Sequence, residues 1–213
     1  MNTASLNWDH TMINVQNIDA AIKFFRKYGI LFDRGGRHEK WGTENALGYF
    51  GLNYIELISV YDESLARNFP RTDAAAVYDS VQDYLKHMER MNTIAIRTSD
   101  IWRDYGRLKK MAIKVSPIKQ GQRIDEQNHL ITWLIFFIDD DIEGLHLPFF
   151  IQWPGTDQDR EKGLKKQGLL RKHPAGDLIV KQAVFRVSNP EKISAVWGHL
   201  LNCLLYTSDA ADE

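Results

Sequence analysis

The sequence predicts an α+β fold built from paired βαβββ units, followed by the truncated start of a third unit. Three observations support this prediction: a strand–turn–helix opening that recurs along the chain, strand-like stretches after the first two openings, and a globular composition with 44% hydrophobic and 26% charged residues. With 213 residues, the chain is long enough to bury a substantial hydrophobic core.

Each opening consists of a short strand, an Asx residue and an amphipathic helix. Asn17, Asp100 and Asn189 stand where an N-cap side chain accepts from the free N–H groups of the first helical turn. Apolar residues then recur at helical spacing, which gives each helix one stripe to bury against a sheet. The predicted helices span residues 18–28, 101–112 and 190–201.

Strand-like stretches complete the first two units. The first unit, residues 8–61, continues with strands at 30–34, 46–50 and 54–61. The second, residues 93–153, continues with strands at 113–118, 130–138 and 149–153. Together they form a predicted domain of residues 1–153.

Three further segments complete the predicted organisation. A helix at about 72–91 is expected to link the two units and to pack on the outside of the sheets. Residues 154–182 form a polar connection, and 183–202 begin a further unit with a strand at 183–187.

The segment 203–213 resembles a translated sequencing adapter of the transposase type. One reading frame of such an adapter encodes most of its sequence, CLLYTSDAADE. A natural polar tail after an apolar helix is the alternative. Under the adapter interpretation, Cys203 lies outside the protein proper and the natural sequence continues after about Asn202.

Charge and hydropathy argue against several classes of protein. The 27 basic and 28 acidic residues nearly cancel, unlike the basic surface of a nucleic-acid binder. The longest apolar run, 130–138, is far shorter than the roughly 20 residues of a membrane helix. The N-terminus does not look like a signal peptide, and the only cysteine permits no intrachain disulfide. We therefore expect a cytoplasmic protein with no membrane or nucleic-acid partner.

Three segments resemble the vicinal oxygen chelate superfamily, which includes glyoxalase I, extradiol dioxygenases and bleomycin-resistance proteins. They are DHTMINV at 9–15, HEKWGTEN at 38–45 and YIELI at 54–58, and the glyoxalase-like branch matches best. The resemblance implies that two curved units enclose a pocket. In such pockets a divalent metal is usually ligated from the first and last strands of the units.

Glu56 is the most informative single residue. Its strand carries apolar residues on both sides, so its carboxylate is expected to be buried and to need a cation, a metal or a proton. A salt-bridged or edge-exposed glutamate is the alternative. The resemblance implies that Glu56 is the catalytic carboxylate and a metal ligand. It also places His10, which opens the first strand, at the position of the first metal ligand, with an ordinary surface or hydrogen-bonded histidine as the alternative. An imidazole and a carboxylate together suit Zn²⁺, Mn²⁺, Fe²⁺ or Ni²⁺.

The second unit departs from a metal-binding pattern. Aligning the Asx caps places Thr93 opposite His10, and aligning the last strands places Gln152 opposite Glu56. Neither residue is a strong ligand, so a full metal site is not visible. His146 is a candidate substitute, with an ordinary loop histidine as the alternative.

A second group of residues is predicted to bind substrate. Thr43 and Asn45 offer a hydroxyl and an amide, although hairpin-turn chemistry explains them equally well. Phe150 and Trp153 are further candidate wall residues, with plain core packing as the alternative. The predicted substrate-binding residues are His38, Trp41, Thr43, Asn45 and Gln152.

Three functions fit these features. The first is a metal-dependent lyase, isomerase or dioxygenase that acts on a small oxygen-rich molecule. The second is a metal-free protein that binds or sequesters a small molecule, as bleomycin-resistance proteins do. The third is a structural or regulatory repeat protein with no ligand. We expect a small-molecule partner and a possible homodimer.

Overall fold

The computed structural model describes residues 5–125 and 129–202, and its centre is an eight-stranded closed barrel. The barrel strands are β1 (Leu6–Asn14), β2 (Asp33–His38), β3 (Thr43–Phe50), β4 (Asn53–Val60), β5 (Arg90–Thr98), β6 (Lys119–Ile124), β7 (Leu130–Phe136) and β10 (Phe149–Gln152). A separate small hairpin consists of β8 (Asp141–Ile142) and β9 (Leu145–His146). The tail 203–213, with its predicted adapter origin, lies outside the described residues.

Two half-barrels with the same internal order confirm the predicted fold class. The strand order is β1-β4-β3-β2-β6-β7-β10-β5, so each half runs first, fourth, third and second strand. In both halves the first strand is parallel to the last. The halves meet through a long β1–β5 pairing on one side. On the other side the described residues join β2 to β6 through one pair, Arg37↔Ile124.

The described part of the chain contains six α-helices besides this barrel: α1 (Ile18–Lys27), α2 (Glu63–Asn68), α3 (Ala75–Leu85), α4 (Ile101–Lys110), α5 (Asp157–Lys166) and α6 (Pro190–Leu201). The Asx caps form as predicted. Asn17, Asp100 and Asn189 each accept a hydrogen bond from a first-turn N–H. Helix α1 packs on the outer face of the first half, and α4 and α6 pack on the outer face of the second.

The helix between the units lies on the inner side of the barrel, which corrects the prediction that it packs outside. Residues of α3 share a core with Met12 and Ile58, and Val77 lines the same cavity as His10 and Glu56. The predicted span of 72–91 is also too long, because α3 ends at Leu85 and β5 begins at Arg90. The sequence pattern shows that this helix has an apolar stripe. It does not show whether the stripe packs on the inner or the outer face of the curved sheet.

Two strands are displaced from their predicted positions for a common reason. The strand predicted at 30–34 lies at Asp33–His38, and the one predicted at 113–118 lies at Lys119–Ile124. At 113–118 the structure has only an isolated bridge between Val115 and Ile138. The observed strands are polar because they border a cavity. The apolar pattern therefore selected the residues that precede each strand.

The C-terminal part also differs from its prediction. Residues 183–187 form no strand in the described structure, although Phe185 packs against Trp197 of α6. A closed barrel leaves no free edge with which such a strand can pair. The connection 154–182 is more than a linker, since it contains α5. The division into these domains, including a further unit beginning at residue 183, stays a prediction.

Candidate active site

His10 and Glu56 lie on adjacent parallel strands and face the barrel interior. In the pairing of β1 with β4, His10 is opposite Tyr54 and Met12 is opposite Glu56. The Nε2 atom of His10 is 3.3 Å from the Oε2 atom of Glu56. Both side chains line one small cavity, and the residues are only 3% and 7% exposed. The two side chains therefore form a buried pair on the cavity wall.

Asp9 holds the other side of the histidine ring. A shift of register between Trp8 and His10 in the β1–β5 pairing interrupts the regular alternation of the strand at Asp9. Oδ1 of the fully buried Asp9 lies 2.8 Å from Nδ1 of His10, while its Oδ2 accepts from Arg97 at 3.1 Å. The ring is thereby oriented with Nε2 directed at Glu56.

The second half of the chain completes this network. Trp153 donates its indole N–H to Oδ2 of Asp9 at 3.1 Å. Arg160, from α5, lies 3.7 Å from the same oxygen and stacks over the Trp153 ring at 4.6 Å. Arg97 also contacts Asp157 at the start of α5. The segment predicted as a polar connection therefore supplies part of the charge balance around the site.

The charges of this network reinforce one another. Burial alone would lower the pKa of His10, but hydrogen bonds and charges from Asp9 and Glu56 outweigh it and raise that pKa above 6.5. Burial alone would raise the pKa of Glu56, but His10, His38 and Asn45 lower it to about 2. These shifts favour the protonated ring of His10 and the ionised carboxylates of Asp9 and Glu56 on either side of it.

Three of the predicted substrate-binding residues line the inner cavity: His38, Trp41 and Asn45. Asn45 donates from Nδ2 to Oε1 of Glu56 at 2.6 Å. The Nδ1 atom of His38 is 3.0 Å from the hydroxyl of Thr43, which does not itself line the cavity. Burial and the charge of Arg123 outweigh the attraction of Glu56 and lower the pKa of His38 to about 4, so this ring is neutral.

Gln152 lies away from this group. Its Oε1 accepts from the backbone N–H of Ile101 at 2.8 Å and so satisfies the start of α4 on the outer face. The strand pairing makes Phe149 the counterpart of Glu56. Met12 is opposite Glu56 in one half, and Ala95, at the matching position before its Asx cap, is opposite Phe149 in the other.

Three of the four remaining candidates lie away from the inner cavity. Thr93 donates to the carbonyl of Leu147, and His146 lies 3.4 Å from Asp79 beside a different, small cavity. Phe150 is fully buried in the outer core that contacts α4. Trp153 does line the inner cavity.

Two adjoining cavities lie at the site and share part of their walls. The inner cavity has a volume of about 50 Å³, and an outer cleft of about 680 Å³ lies beside it. The cleft follows the seam between β2 and β6, where strand pairing is sparse. The residues that border both spaces are His38, Trp41, Arg123, Trp133, Ile135 and Phe137.

Sequence reasoning missed Arg123, Arg97 and Arg160. Arg97 lies on a strand that was predicted, and the alternation of side chains along that strand would have predicted that it points inward. Arg123 lies on β6, whose polar sequence KQGQRI was assigned to no strand. No local signal marks Arg160, because its role depends on how α5 packs against the barrel.

Comparison with known proteins identifies the family. A family model described as a glyoxalase-like domain matches residues 8–201. The chain belongs to this family. The resemblance to the vicinal oxygen chelate superfamily is therefore confirmed.

Solved structures share the fold of this glyoxalase-like protein. A hypothetical protein from Staphylococcus aureus is 24% identical, with a TM-score of 0.78, and the match covers 97% of this chain and 79% of that one. A methylmalonyl-CoA epimerase from Mycobacterium tuberculosis is 18% identical, with a TM-score of 0.50, over 72% of this chain and 91% of that one. Such identities show the fold alone. No curated protein sequence matches.

Superfamily members often use a divalent metal, which requires several side chains of the pocket to ligate one ion. His10 and Glu56 provide two possible metal ligands, and the hydrogen bond from Nδ1 of His10 to Asp9 resembles the support that metal-ligating histidines receive. The second half offers Thr93 and Phe149 at the matching positions. Across residues 5–125 and 129–202, no group of three or more His, Cys, Asp or Glu side chains is placed to hold a metal ion. The side chains present do not fit a resident divalent metal.

The described residues include no helix long and apolar enough to cross a membrane.

Proposed function

We propose that this glyoxalase-like protein is an enzyme that binds a small oxygen-rich molecule in the barrel and transfers a proton through Glu56 and His10. The observation that carries the proposal is a buried carboxylate on a cavity wall, paired with a histidine that a second carboxylate orients. Proton transfer next to a carbonyl group is the chemistry of isomerases and lyases.

The substrate itself would activate Glu56. Without substrate, its pKa of about 2 makes it a weak base. A substrate oxygen that accepts a hydrogen bond from Nε2 of His10 would separate this nitrogen from Glu56. Burial would then dominate and raise the pKa of Glu56 toward the range of an effective base.

The reaction step then balances within the site. Glu56 removes a proton from the carbon next to the carbonyl, the electron pair of that C–H bond forms a C=C bond, and the π pair of the carbonyl moves onto its oxygen. The imidazolium of His10 stabilises the negative charge on that oxygen. Return of the proton to another position completes an isomerisation, and loss of a group from the neighbouring carbon completes an elimination.

A metal has no step in this scheme. Zn²⁺, Mn²⁺, Fe²⁺ or Ni²⁺ would meet His10, His38 and Glu56 in this cavity, but no three such side chains of the described residues are placed to hold one ion. The raised pKa of His10 also favours the protonated form, which cannot ligate a metal. We therefore prefer a lyase or isomerase to a dioxygenase. A homodimer and a cytoplasmic location stay predictions.

Metal-free binding without chemistry is the second candidate. It is supported by the aromatic walls that the two cavities share and by the low pKa of Glu56 in the substrate-free site. In this case Glu56 and His10 would serve only to hold a polar ligand.

Proton exchange in D₂O separates these candidates without knowledge of the product. Small carbonyl compounds with exchangeable protons, such as phenylpyruvate and acetophenone, are incubated with the protein and followed by ¹H NMR. We expect catalysed loss of the proton signal, reduced about 100-fold or more in Glu56→Gln. Glu63→Gln, at an exposed residue of α2, serves as the control and should leave the rate unchanged.

Two outcomes would overturn the enzyme proposal. One is exchange that proceeds equally in Glu56→Gln and in the parent. The other is binding of these compounds without any catalysed exchange, which would support the sequestration function instead.

A further inference from the structure

Arg123 is a buried cation at the junction of the two cavities. The residue is 7% exposed and lines both the inner cavity and the outer cleft. Its Nη1 donates to the backbone carbonyl of Gly35, and none of the described carboxylates forms an ion pair with its guanidinium. A buried charge with only a neutral partner is costly and is normally compensated.

Four of the acids that line the two cavities contact basic groups other than Arg123. Glu56 contacts His10, so its negative charge is balanced within the inner cavity. Neighbouring bases likewise match acids of the outer cleft: Lys119 contacts Asp73, Arg34 contacts Glu44 and His129 contacts Asp125. Among the described residues that border both cavities, Arg123 therefore carries a positive charge without an ion-pair partner.

Trp133 supplies a second unused donor beside it. Its indole Nε1 is buried and has no hydrogen-bond partner among the described residues. The indole occupies the space that a side chain at residue 121 would fill, because a Cβ added to Gly121 would lie 2.1 Å from Nε1. Gly121 and Arg123 are two residues apart on one strand and so point to the same face.

We propose that Arg123 and the indole N–H of Trp133 bind the carboxylate of a small substrate that carries a planar apolar group. A carboxylate offers two oxygens to two donors and cancels the charge of Arg123. Trp41, Trp133 and Phe137 line the same junction and suit a planar apolar group. The inner cavity leaves room for only a few further atoms beside His10 and Glu56.

This inference names the substrate class of the proposed enzyme and so rests on the same site, but it is tested by binding rather than by turnover. Phenylacetate is titrated into the protein by calorimetry, beside phenylacetamide, which has the same shape without the charge. We expect the parent to bind the carboxylate about 10-fold to 100-fold more tightly than the amide.

Variants then assign this preference to Arg123. Arg123→Gln should abolish the preference, and Arg123→Lys should retain part of it, because lysine keeps the charge but loses the planar pair of donors. Arg37→Gln, at an exposed arginine that lines the outer cleft, should bind phenylacetate within twofold of the parent. Thermal unfolding of each variant checks that it is folded.

The failure of each proposal has its own signature. If the parent binds neither compound, or binds both equally, the proposed carboxylate site is wrong. This test requires only the parent protein. A folded Arg123→Gln that keeps the preference also overturns it. If Glu56→Gln and the parent prefer the carboxylate equally but neither catalyses exchange, the carboxylate site stands and the proposed proton transfer fails.

Discussion

Replacing Asp9 by asparagine tests whether the site is held together by buried charge. The substitution keeps the size of the side chain but removes its negative charge. Three groups lose an ionised partner: the ring of His10 at 2.8 Å, Arg97 at 3.1 Å and Arg160 at 3.7 Å. Since Asp9 is fully buried, solvent cannot replace that partner.

The expected loss follows from the cost of breaking a buried ion pair. Removing one partner of such a pair costs about 3–5 kcal/mol, a large share of the roughly 5–15 kcal/mol that stabilise a typical domain. We therefore expect the free energy of unfolding in urea to fall by about 3–5 kcal/mol. The slope of the transition should be unchanged, because the surface exposed on unfolding is similar.

A matched control isolates the effect of burial. Asp19 contacts Arg34 at 2.7 Å, but its side chain is 73% exposed. Asp19→Asn should therefore cost less than about 1 kcal/mol. If Asp9→Asn costs no more than Asp19→Asn, Asp9 is not compensating the buried cations and the reasoning fails.

Three further predictions concern pH, packing and the outer face. The pKa of Glu56 is lowered from 4.5 to about 2, so its ionised form stabilises the fold above pH 4.5, and this stabilisation, about 3 kcal/mol, is lost as the pH falls toward 2. Glu56→Gln should accordingly lose less stability than the parent over that range in urea titrations, and equal losses would contradict the pKa. Gly121→Ala should lower the free energy of unfolding by about 1–3 kcal/mol, because the new Cβ meets the indole of Trp133, and an unchanged melting curve would refute that contact. Gln152→Ala should lower the free energy of unfolding by about 0.5–2 kcal/mol, because the hydrogen bond to Ile101 is lost, and should leave ligand affinity unchanged. Weaker ligand binding would instead indicate that Gln152 belongs to the binding site.

The fold class was readable from the sequence because its signals are local. An Asx cap, an apolar helical stripe and a strand before them are each properties of a few adjacent residues, and their repetition predicted two equivalent halves. Asn17, Asp100 and Asn189 all cap helices in the structure. What periodicity could not show is which face of a curved sheet a helix covers, as α3 illustrates.

The candidate site was only partly readable, for two physical reasons. Glu56 stood out because a charged residue in an apolar strand demands a partner, and His10 stood out through its place in the segment that resembles the superfamily. The structure places the two side chains 3.3 Å apart. Gln152 was misplaced because aligning strands by their ends ignores register, and a shift by one residue reverses the face. Arg123 was missed because a cavity-lining strand lacks the apolar pattern by which strands are recognised.

The two halves of the barrel carry different side chains at matching positions. The first half carries His10 and Glu56, and the matching positions of the second half carry Thr93 and Phe149, which have neither charge nor imidazole. The second half contributes charge from other positions, through Arg97 on β5 and Arg123 on β6. In a metal site both halves supply ligands to one ion. Here one half supplies the proposed proton-transfer pair and the other supplies the cations around it, so an anionic substrate would take the position that joins them.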